Sequence, residues 1–410
     1  MGMYKLVDLF CGCGGISRGF AWTNRFSTEM GVEIEPHPAA TFHQNIKNSA
    51  GAPSYTYTGD ITHLTQNKDM FWSYMQQANI SGPGQIDVLV GGPPCQGFSR
   101  NGTRKYIDEE RRLRFYDDPR NHLYRSFLYF LEKLQPSLVF IENVREFLNF
   151  GQGKFLRDLL TRLDELGYYA EFRKVCAADF GVPQMRHRAL FVGIRKDLVS
   201  PIKKSTLFPE LSHVDGENDL PLLALPLYRT VRDAIGDLPI PVDAHAKSPQ
   251  PYGCQESCSE LAKLLRSKSG HLHNHVSRVL SKTALERVKA VGTGRMKHID
   301  PGLRTESFYG SAYGRLEWDK PSLTVTTWVY HVGSGRYAHP EQDRAITMRE
   351  AARLQSFDDD FIFPPLINPV SQMIGNAVPP LLANAFAHRF IEILDGVAKE
   401  NRSEPVFALS

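Results

Sequence analysis

The run Gly91-Gly92-Pro93-Pro94-Cys95-Gln96-Gly97-Phe98-Ser99 follows an apolar stretch, Ile86-Asp87-Val88-Leu89-Val90, and holds one thiol at its tip. Two prolines fix backbone dihedrals there, and three glycines let the main chain bend or approach a ligand closely. A cysteine taken alone is ordinarily a small buried hydrophobe, but a rigid turn at the C-terminal end of a buried strand suits a nucleophile. A second run, Phe140-Ile141-Glu142-Asn143-Val144, puts a carboxylate just beyond another buried strand. Two strand ends of one parallel sheet would bring that thiol and that carboxylate over the same crevice. A third run, Gln184-Met185-Arg186-His187-Arg188, sets two arginines at alternate positions before an apolar strand. Out of context, such a trio reads as a solvated edge.

A ligand site is outlined separately. Asp8-Leu9-Phe10-Cys11-Gly12-Cys13-Gly14-Gly15 follows the first strand and opens a helix, so its glycines let the backbone curl around a nucleotide-like ligand. The G-x-G-x-x-G of a dinucleotide-binding dehydrogenase is not completed, because Ser17 stands where its third glycine would be. Glu33 ends the second strand, where a carboxylate can accept both hydroxyls of a ribose. Asp60, in Gly59-Asp60-Ile61-Thr62, can accept a hydrogen bond from an exocyclic adenine amine. Either acid alone reads as solvated surface. Together they outline an adenosine site without a phosphate lysine, for a ligand lacking phosphates.

These groups need a sheet to position them. Strand-like runs at 5–10, 31–35, 86–90, 137–141 and 189–194 alternate with helical stripes, Leu123, Phe127, Phe130, Leu131, Leu134 and Leu156, Leu159, Leu160, Leu163, Leu166. That alternation predicts an α/β fold, a parallel sheet with helices on both faces. After about Arg195 the pattern gives way to Pro-rich sequence until near Ile346, which predicts a smaller inserted domain. A last helix, 381–394, with Leu382, Phe386, Phe390 and Leu394 on one face, is expected to return to the first sheet.

The 410 residues are 42% hydrophobic and 23% charged, which excludes disordered and fibrous classes. No apolar stretch reaches membrane-spanning length, and six cysteines in so long a chain do not form a secreted disulfide framework. A cytoplasmic protein without a membrane partner is expected. The net charge is only +3, yet residues 263–297 hold nine Lys or Arg and one acid, Glu286. A solvated helical face and a nucleic-acid contact both account for such a run.

In this order the motifs resemble the DNA (cytosine-5)-methyltransferases of bacteria. The matching elements are the F-x-G-x-G loop at Phe10 to Gly14, Glu33-Ile34-Glu35, Gly59-Asp60-Ile61, Gly92-Pro93-Pro94-Cys95-Gln96, Glu142-Asn143-Val144 and Gln184 to Arg188. Near the C-terminus come Arg344, Thr347 to Gln355, and Gly375-Asn376-Ala377-Val378-Pro379. The likeness spans the chain except for about 200–310, with Glu35 where the family often has Asp.

The resemblance implies a Rossmann-like S-adenosylmethionine-dependent sheet over residues 1–198, a target-recognition domain over 199–340, and a C-terminal segment, 341–410, returning to the catalytic domain. Cys95 would add to carbon 6 of a flipped-out cytosine, Glu142 would bond nitrogen 3 and the amine, and Arg188 would hold the carbonyl oxygen. Arg186 or Arg188 would favour the thiolate. The cofactor, S-adenosylmethionine, would be cradled by Phe10, Cys11, Gly12, Cys13, Gly15, Glu33, Ile34, Asp60, Ile61, Pro94, Leu123, Asn376 and Ala377. Double-stranded DNA would meet Gln96 and Ser99 in a closing loop, and Arg278, Lys282, Arg287 and Lys289 in the basic segment. A cytoplasmic, nucleoid-associated monomer with a cognate restriction endonuclease completes the expectation.

Four rivals are weighed, the first a non-catalytic DNA-binding homologue, which would be expected to lose Cys95 or Glu142, and neither is lost. One branch of the family methylates transfer RNA with the same core, but the long basic insert and Gln96-Gly97-Phe98-Ser99 favour DNA. Cys254, Cys258, His271 and His275 have zinc-finger spacing, but Ala262 and Lys268 stand where a finger needs a large aromatic and a leucine, so no metal is expected. His271-Leu272-His273-Asn274-His275 matches a nuclease motif only by its letters.

Overall fold

A computed structural model describes residues 2–94, 123–199, 206–216, 225–242, 249–252, 258–305 and 310–403. Cys95, Gln96, Ser99 and Cys254 lie outside the described residues.

By its contacts the chain divides into two compact units: Met1–Val175 with His187–Glu210 and Ala383–Ser410, and Cys176–Arg186 with Leu211–Leu382. Among its described residues the first is built on seven strands: β1 Tyr4–Leu9, β2 Phe26–Glu33, β3 Tyr55–Thr58, β4 Val88–Gly91, β5 Leu138–Val144, β6 Tyr168–Cys176 and β7 His187–Arg195. Their order is β3-β2-β1-β4-β5-β7-β6. The pairs β1–β2, β1–β4, β2–β3 and β4–β5 are parallel. The expected all-parallel sheet is corrected at β7, which runs antiparallel to β5 with Glu142 opposite Leu190 and Val144 opposite Arg188.

Among the described residues, the first half of this unit carries α1 Gly15–Ala21, α2 Pro36–Asn45, α3 Ile61–Gln66, α4 Lys68–Gln77, α5 Tyr124–Leu134 and α6 Lys154–Glu165. Successive residues of a strand face opposite ways, and β5 uses both faces. Val139 and Ile141 join Phe127, Leu131 and Phe71 in the main core. Phe140 instead packs on Phe386, ring centroids 5.0 Å apart. Phe386 lies on the C-terminal helix, Pro380–Ser403, whose Phe390 also meets Phe20 of α1.

Two strands escaped the apolar pattern because they are edges. The β3 sequence Tyr-Thr-Tyr-Thr is half-buried, and β6 carries exposed Arg173 and Lys174. Strand β2 starts five residues before its expected start, with Ser27, Thr28 and Glu29 all buried. A register shift between Leu6 and Val7 leaves Glu29 unpaired on β2, and Ser27 Oγ donates to Glu29 Oε1 at 2.6 Å.

The second unit contains α7 Val231–Ile235, α8 Glu260–Leu265, α9 Lys282–Val291, α10 Met348–Leu354 and α11 Ile367–Asn376, so the C-terminal helix is α12. The partition therefore differs from boundaries at 198 and 340. Residues 341–382 stay with the second unit, and residues 176–186 join it because Gln184-Met185 pairs with Ser322-Leu323 and Gln184 Nε2 donates to Leu354 O.

Candidate active site

The loop after β1 is held by its own backbone. Cys11 N–H donates to Val32 O (3.0 Å) and Gly14 N–H to Cys11 O (2.8 Å). Phe10, Gly12 and Gly14 take φ of 56°, 55° and 99°. Gly14 is constrained twice, since a Cβ there would stand 2.8 Å from Ile46 Cγ1 in a left-handed backbone. Beneath the loop Asp8 is fully buried and accepts from Ser17 Oγ at 2.6 Å, and burial pushes its carboxyl up to about 7. Sequence reasoning passed over this pair, although a charge inside an apolar strand was its signal.

Glu33 ends β2 under the same loop. Its Oε2 accepts from Gly12 N–H and its Oε1 from Glu35 N–H, both at 2.9 Å, and Ile34 N–H also donates to it. Burial raises its pKa above the usual carboxylate range despite these bonds. A carboxylate offers about four lone-pair sites, so Glu33 keeps acceptor capacity for a ribose hydroxyl. Ile34 is 59% exposed, an apolar surface beside that acid. Asp60 caps α3 by accepting from Thr62 N–H and Thr62 Oγ1, both on Oδ1. Ile61 is buried, and Leu123 and Pro94 are half-buried.

This donor set fits a nucleoside ligand without phosphates. A Cβ at Gly12 would meet nothing within 4 Å, so the loop has open space above it, and residues 10–15 contain no cation. The thiols of Cys11 and Cys13 are buried and pushed up by desolvation, which leaves them inert. Asn376 and Ala377 belong to the second unit, where Ala377 O accepts from Gln355 Nε2 at 2.7 Å.

Beside the loop that follows β4, the structure brings Glu142 of β5 and Arg188 of β7 together. Arg188 Nε lies 2.7 Å from Glu142 Oε1, with side chains 15% and 12% exposed. A Cβ on Gly92 would sit 3.3 Å from Glu142 Oε2, so the carboxylate lies against the loop that leads to Cys95. Asn143 holds the same loop, donating from Nδ2 to Pro93 O at 3.3 Å. Its role as a pin was not legible from sequence, because the bond joins residues fifty positions apart.

Arg186 is placed differently from Arg188. It belongs to the second unit, is 1% exposed, and donates to Val325 O (3.3 Å), Gly375 O (3.0 Å) and Ala377 O (3.0 Å). Its planar guanidinium thus has both Nη atoms engaged by main-chain carbonyls. Among the nominated DNA cations, Arg287 donates to Leu303 O and the Tyr313 hydroxyl, and Lys289 lies 3.1 Å from Asp343. Arg278 and Lys282 are exposed, without an ion pair among the described residues. His275 has both ring nitrogens engaged, by Thr347 Oγ1 (2.9 Å) and Pro239 O (2.7 Å), and Arg266 Nη1 reaches Cys258 Sγ at 2.8 Å. Among the described residues no group of three or more His, Cys, Asp or Glu is disposed to hold a metal ion.

A largely parallel sheet with a glycine loop after its first strand and acids after its second and third is the fold of the S-adenosylmethionine-dependent methyltransferases. Within that class the chain belongs to the C-5 cytosine-specific DNA methylases, whose family model matches residues 4–392. It is thus a DNA (cytosine-5)-methyltransferase. It is 34% identical over 388 residues to the type II methyltransferase M1.HphI of Haemophilus parahaemolyticus, covering 94% of this chain and 86% of that one. It is 30% identical over 451 residues to M.AgeI of Thalassovita gelatinovora, covering 93% and 98%. A solved E. coli structure assigned as a prophage-encoded DNA modification methyltransferase matches with a TM-score of 0.69 and 26% identity, over 96% of this chain and 99% of that one. The S. pombe Dnmt2 methyltransferase, at 14% identity and a TM-score of 0.56, shares the fold.

Proposed function

We propose that this enzyme methylates carbon 5 of a cytosine flipped out of duplex DNA, through a transient bond between Cys95 and carbon 6, with S-adenosylmethionine as the donor. The observation that carries the reading is the Glu142–Arg188 pair set against the Gly92-Pro93-Pro94 loop. Carbon 5 of cytosine is a poor nucleophile. Addition of the Cys95 thiolate at carbon 6 moves electron density onto carbon 5, while Glu142 holds a proton at nitrogen 3 and Arg188 neutralises the carbonyl oxygen. Their mutual ion pair keeps both groups oriented before a base arrives. S-adenosylmethionine supplies, when bound, an electrophilic methyl group. Phe10, Cys11, Gly12, Cys13, Gly15, Glu33, Ile34, Asp60, Ile61, Pro94, Leu123, Asn376 and Ala377 would hold it, with Glu33 on the ribose and Asp60 on the adenine amine. Once carbon 5 is methylated, loss of its proton and expulsion of the Cys95 sulfur restore the ring.

The base must leave the stack for either face to be reached. Gln96, Ser99, Arg278 and Lys282 would contact the duplex, and Arg186 supports the backbone that carries Asn376 and Ala377. Relatives described as type II methyltransferases support a role in restriction-modification, beside an endonuclease acting on the same site. The enzyme would work as a cytoplasmic monomer on the nucleoid; among the described residues no helix is long and apolar enough to cross a membrane. Incubation with labelled S-adenosylmethionine and either duplex DNA or transfer RNA tests the substrate. Label in DNA alone is expected; label in transfer RNA alone would overturn the reading.

A further inference from the structure

The exposed cations leave one feature of the second unit unexplained, the turn spanning residues 326–334. Its backbone is braced from within, with Val329 N–H donating to Thr326 O (3.2 Å) and His331 N–H to Trp328 O (2.9 Å). Ser334 Oγ lies 2.6 Å from Trp328 O and 2.7 Å from His331 O. Its base is fixed as firmly. The buried Tyr337 hydroxyl accepts from Thr326 N–H at 3.2 Å, and Ser371 Oγ of α11 donates to Thr327 O at 2.8 Å. Helix α11 comes so close that a Cβ on Gly375 would stand 2.4 Å from Thr326 C and Thr327 N, which only glycine permits. Val329 is fully buried.

This scaffold presents Trp328 at 57% exposure. The Tyr330 ring lies beside the indole, centroids 5.7 Å apart and planes inclined by 31°. The Arg278 guanidinium sits 5.6 Å from the centre of the Tyr330 ring, and Val279 next to it is 94% exposed. A large aromatic left in water forfeits the burial that would stabilise the fold. A rigid turn that maintains such exposure is the usual arrangement of a binding loop on a fixed support. Indole and phenol rings offer flat faces for bases, Arg278 offers a cation for phosphate or a base edge, and Val279 offers methyl groups for a thymine methyl.

We propose that Trp328, Tyr330, Arg278 and Val279 form a base-contacting platform that sets which sequence this enzyme methylates. The occupant is duplex DNA, because Arg278 lies within the basic segment 263–297, whose charge complements phosphate, and the family acts on DNA. The inference rests on the reading that this unit receives the substrate. Trp328 and Val279 meet base edges or an opened base step, and Arg278 anchors the platform to the backbone.

The test compares the full-length wild type with W328A, W328F and V279E. Bisulfite sequencing of DNA from expressing cells first gives the methylated motif. Methylation of a duplex carrying that motif, binding of S-adenosylmethionine, and thermal melting follow. W328A is expected to lose roughly tenfold in kcat/KM for DNA, mainly through KM, the scale of one aromatic-base contact. W328F should recover most of it, V279E should weaken DNA binding by added negative charge, and melting and cofactor binding should not move. Any relaxation of the methylated motif in W328A adds support. Values of kcat/KM within twofold of wild type together with an unchanged motif in both W328A and V279E would overturn the platform. So would intact DNA affinity accompanied by loss of a self-associated form, which would make the turn a protein contact. If the wild type methylates no DNA, it is the proposed function that fails, and the same assay separates the two.

Discussion

Arg186→Lys separates a charge at the reaction centre from a scaffold. Lysine keeps the positive charge but replaces a planar fork with one ammonium on a flexible stem. Arg186 reaches Val325 O through Nη1 and both Gly375 O and Ala377 O through Nη2. One ammonium can replace the Nη2 pair or the Nη1 bond, but not all three from a buried position. At least one charge-assisted bond is lost, each contributing roughly 1.5–3 kcal/mol, and a buried carbonyl is left with a missing partner. A net loss of about 3 kcal/mol follows. In a unit of fewer than two hundred residues that lowers the melting temperature by roughly 6–12 °C, at 2–4 °C per kcal/mol. Because Ala377 O is one of the acceptors, KM for S-adenosylmethionine should rise at temperatures where the variant is folded. Differential scanning calorimetry and single-turnover methyl transfer read the two effects. A melting temperature within about 1 °C of wild type combined with a hundredfold slower chemical step would refute the scaffold role and return Arg186 to the thiolate.

Glu142→Gln keeps shape but removes the group that holds a proton at nitrogen 3, and single-turnover methylation should slow by roughly two orders of magnitude with DNA affinity nearly intact; an unchanged rate removes Glu142 from the mechanism. The double variant R278Q/K282Q should flatten the slope of log affinity against log salt by about 1.8, at about 0.9 per phosphate contact, while K289Q changes it less because Lys289 is paired with Asp343. Equal slopes in wild type and double variant would return the basic segment to plain solvated surface. Burial holds His213 and His339 of the second unit at about 4, below the 6.5 of an exposed imidazole. The unfolded chain therefore takes up protons first, so the stability of the neutral forms is complete above pH 6.5 and is lost as the pH falls toward 4. Melting temperature measured across that range should fall, and H339Q should flatten the fall; a flat wild-type profile contradicts the assignment.

The catalytic strands were legible because β1, β4, β5 and β7 are apolar runs buried on both faces, and the motif residues stand at their ends. Edge strands β3 and β6 were not, since half-exposed Tyr, Thr, Arg and Lys carry no apolar signal. Helical stripes gave α5 and α6 for the same reason that they pack: Phe127, Leu131, Leu159 and Leu163 recur at one face. The acids of the cofactor loop could be named from type and position. Their backbone donors could not, because Gly12 and Glu33 meet across twenty-one residues. The pair of arginines two positions apart looked equivalent in sequence. Only tertiary structure separates Arg188, which meets Glu142, from Arg186, which spans three carbonyls. Likewise the charge of residues 263–297 was visible, but not that Arg287 and Lys289 already have partners in the chain, Lys289 in an exposed ion pair with Asp343.

The most direct test of the central claim is covalent capture. Duplex DNA carrying 5-fluorocytosine at the target position, incubated with S-adenosylmethionine and the wild type, should give a complex that survives denaturing electrophoresis, because fluorine cannot leave as a proton does and the Cys95 sulfur stays on carbon 6. Mass spectrometry of the digested complex should place the base on Cys95. Cys95→Ala should form no such complex and transfer no methyl group while still binding cofactor. Failure of the wild type to be trapped on DNA that it methylates, or methylation by the alanine variant, would contradict covalent catalysis by Cys95.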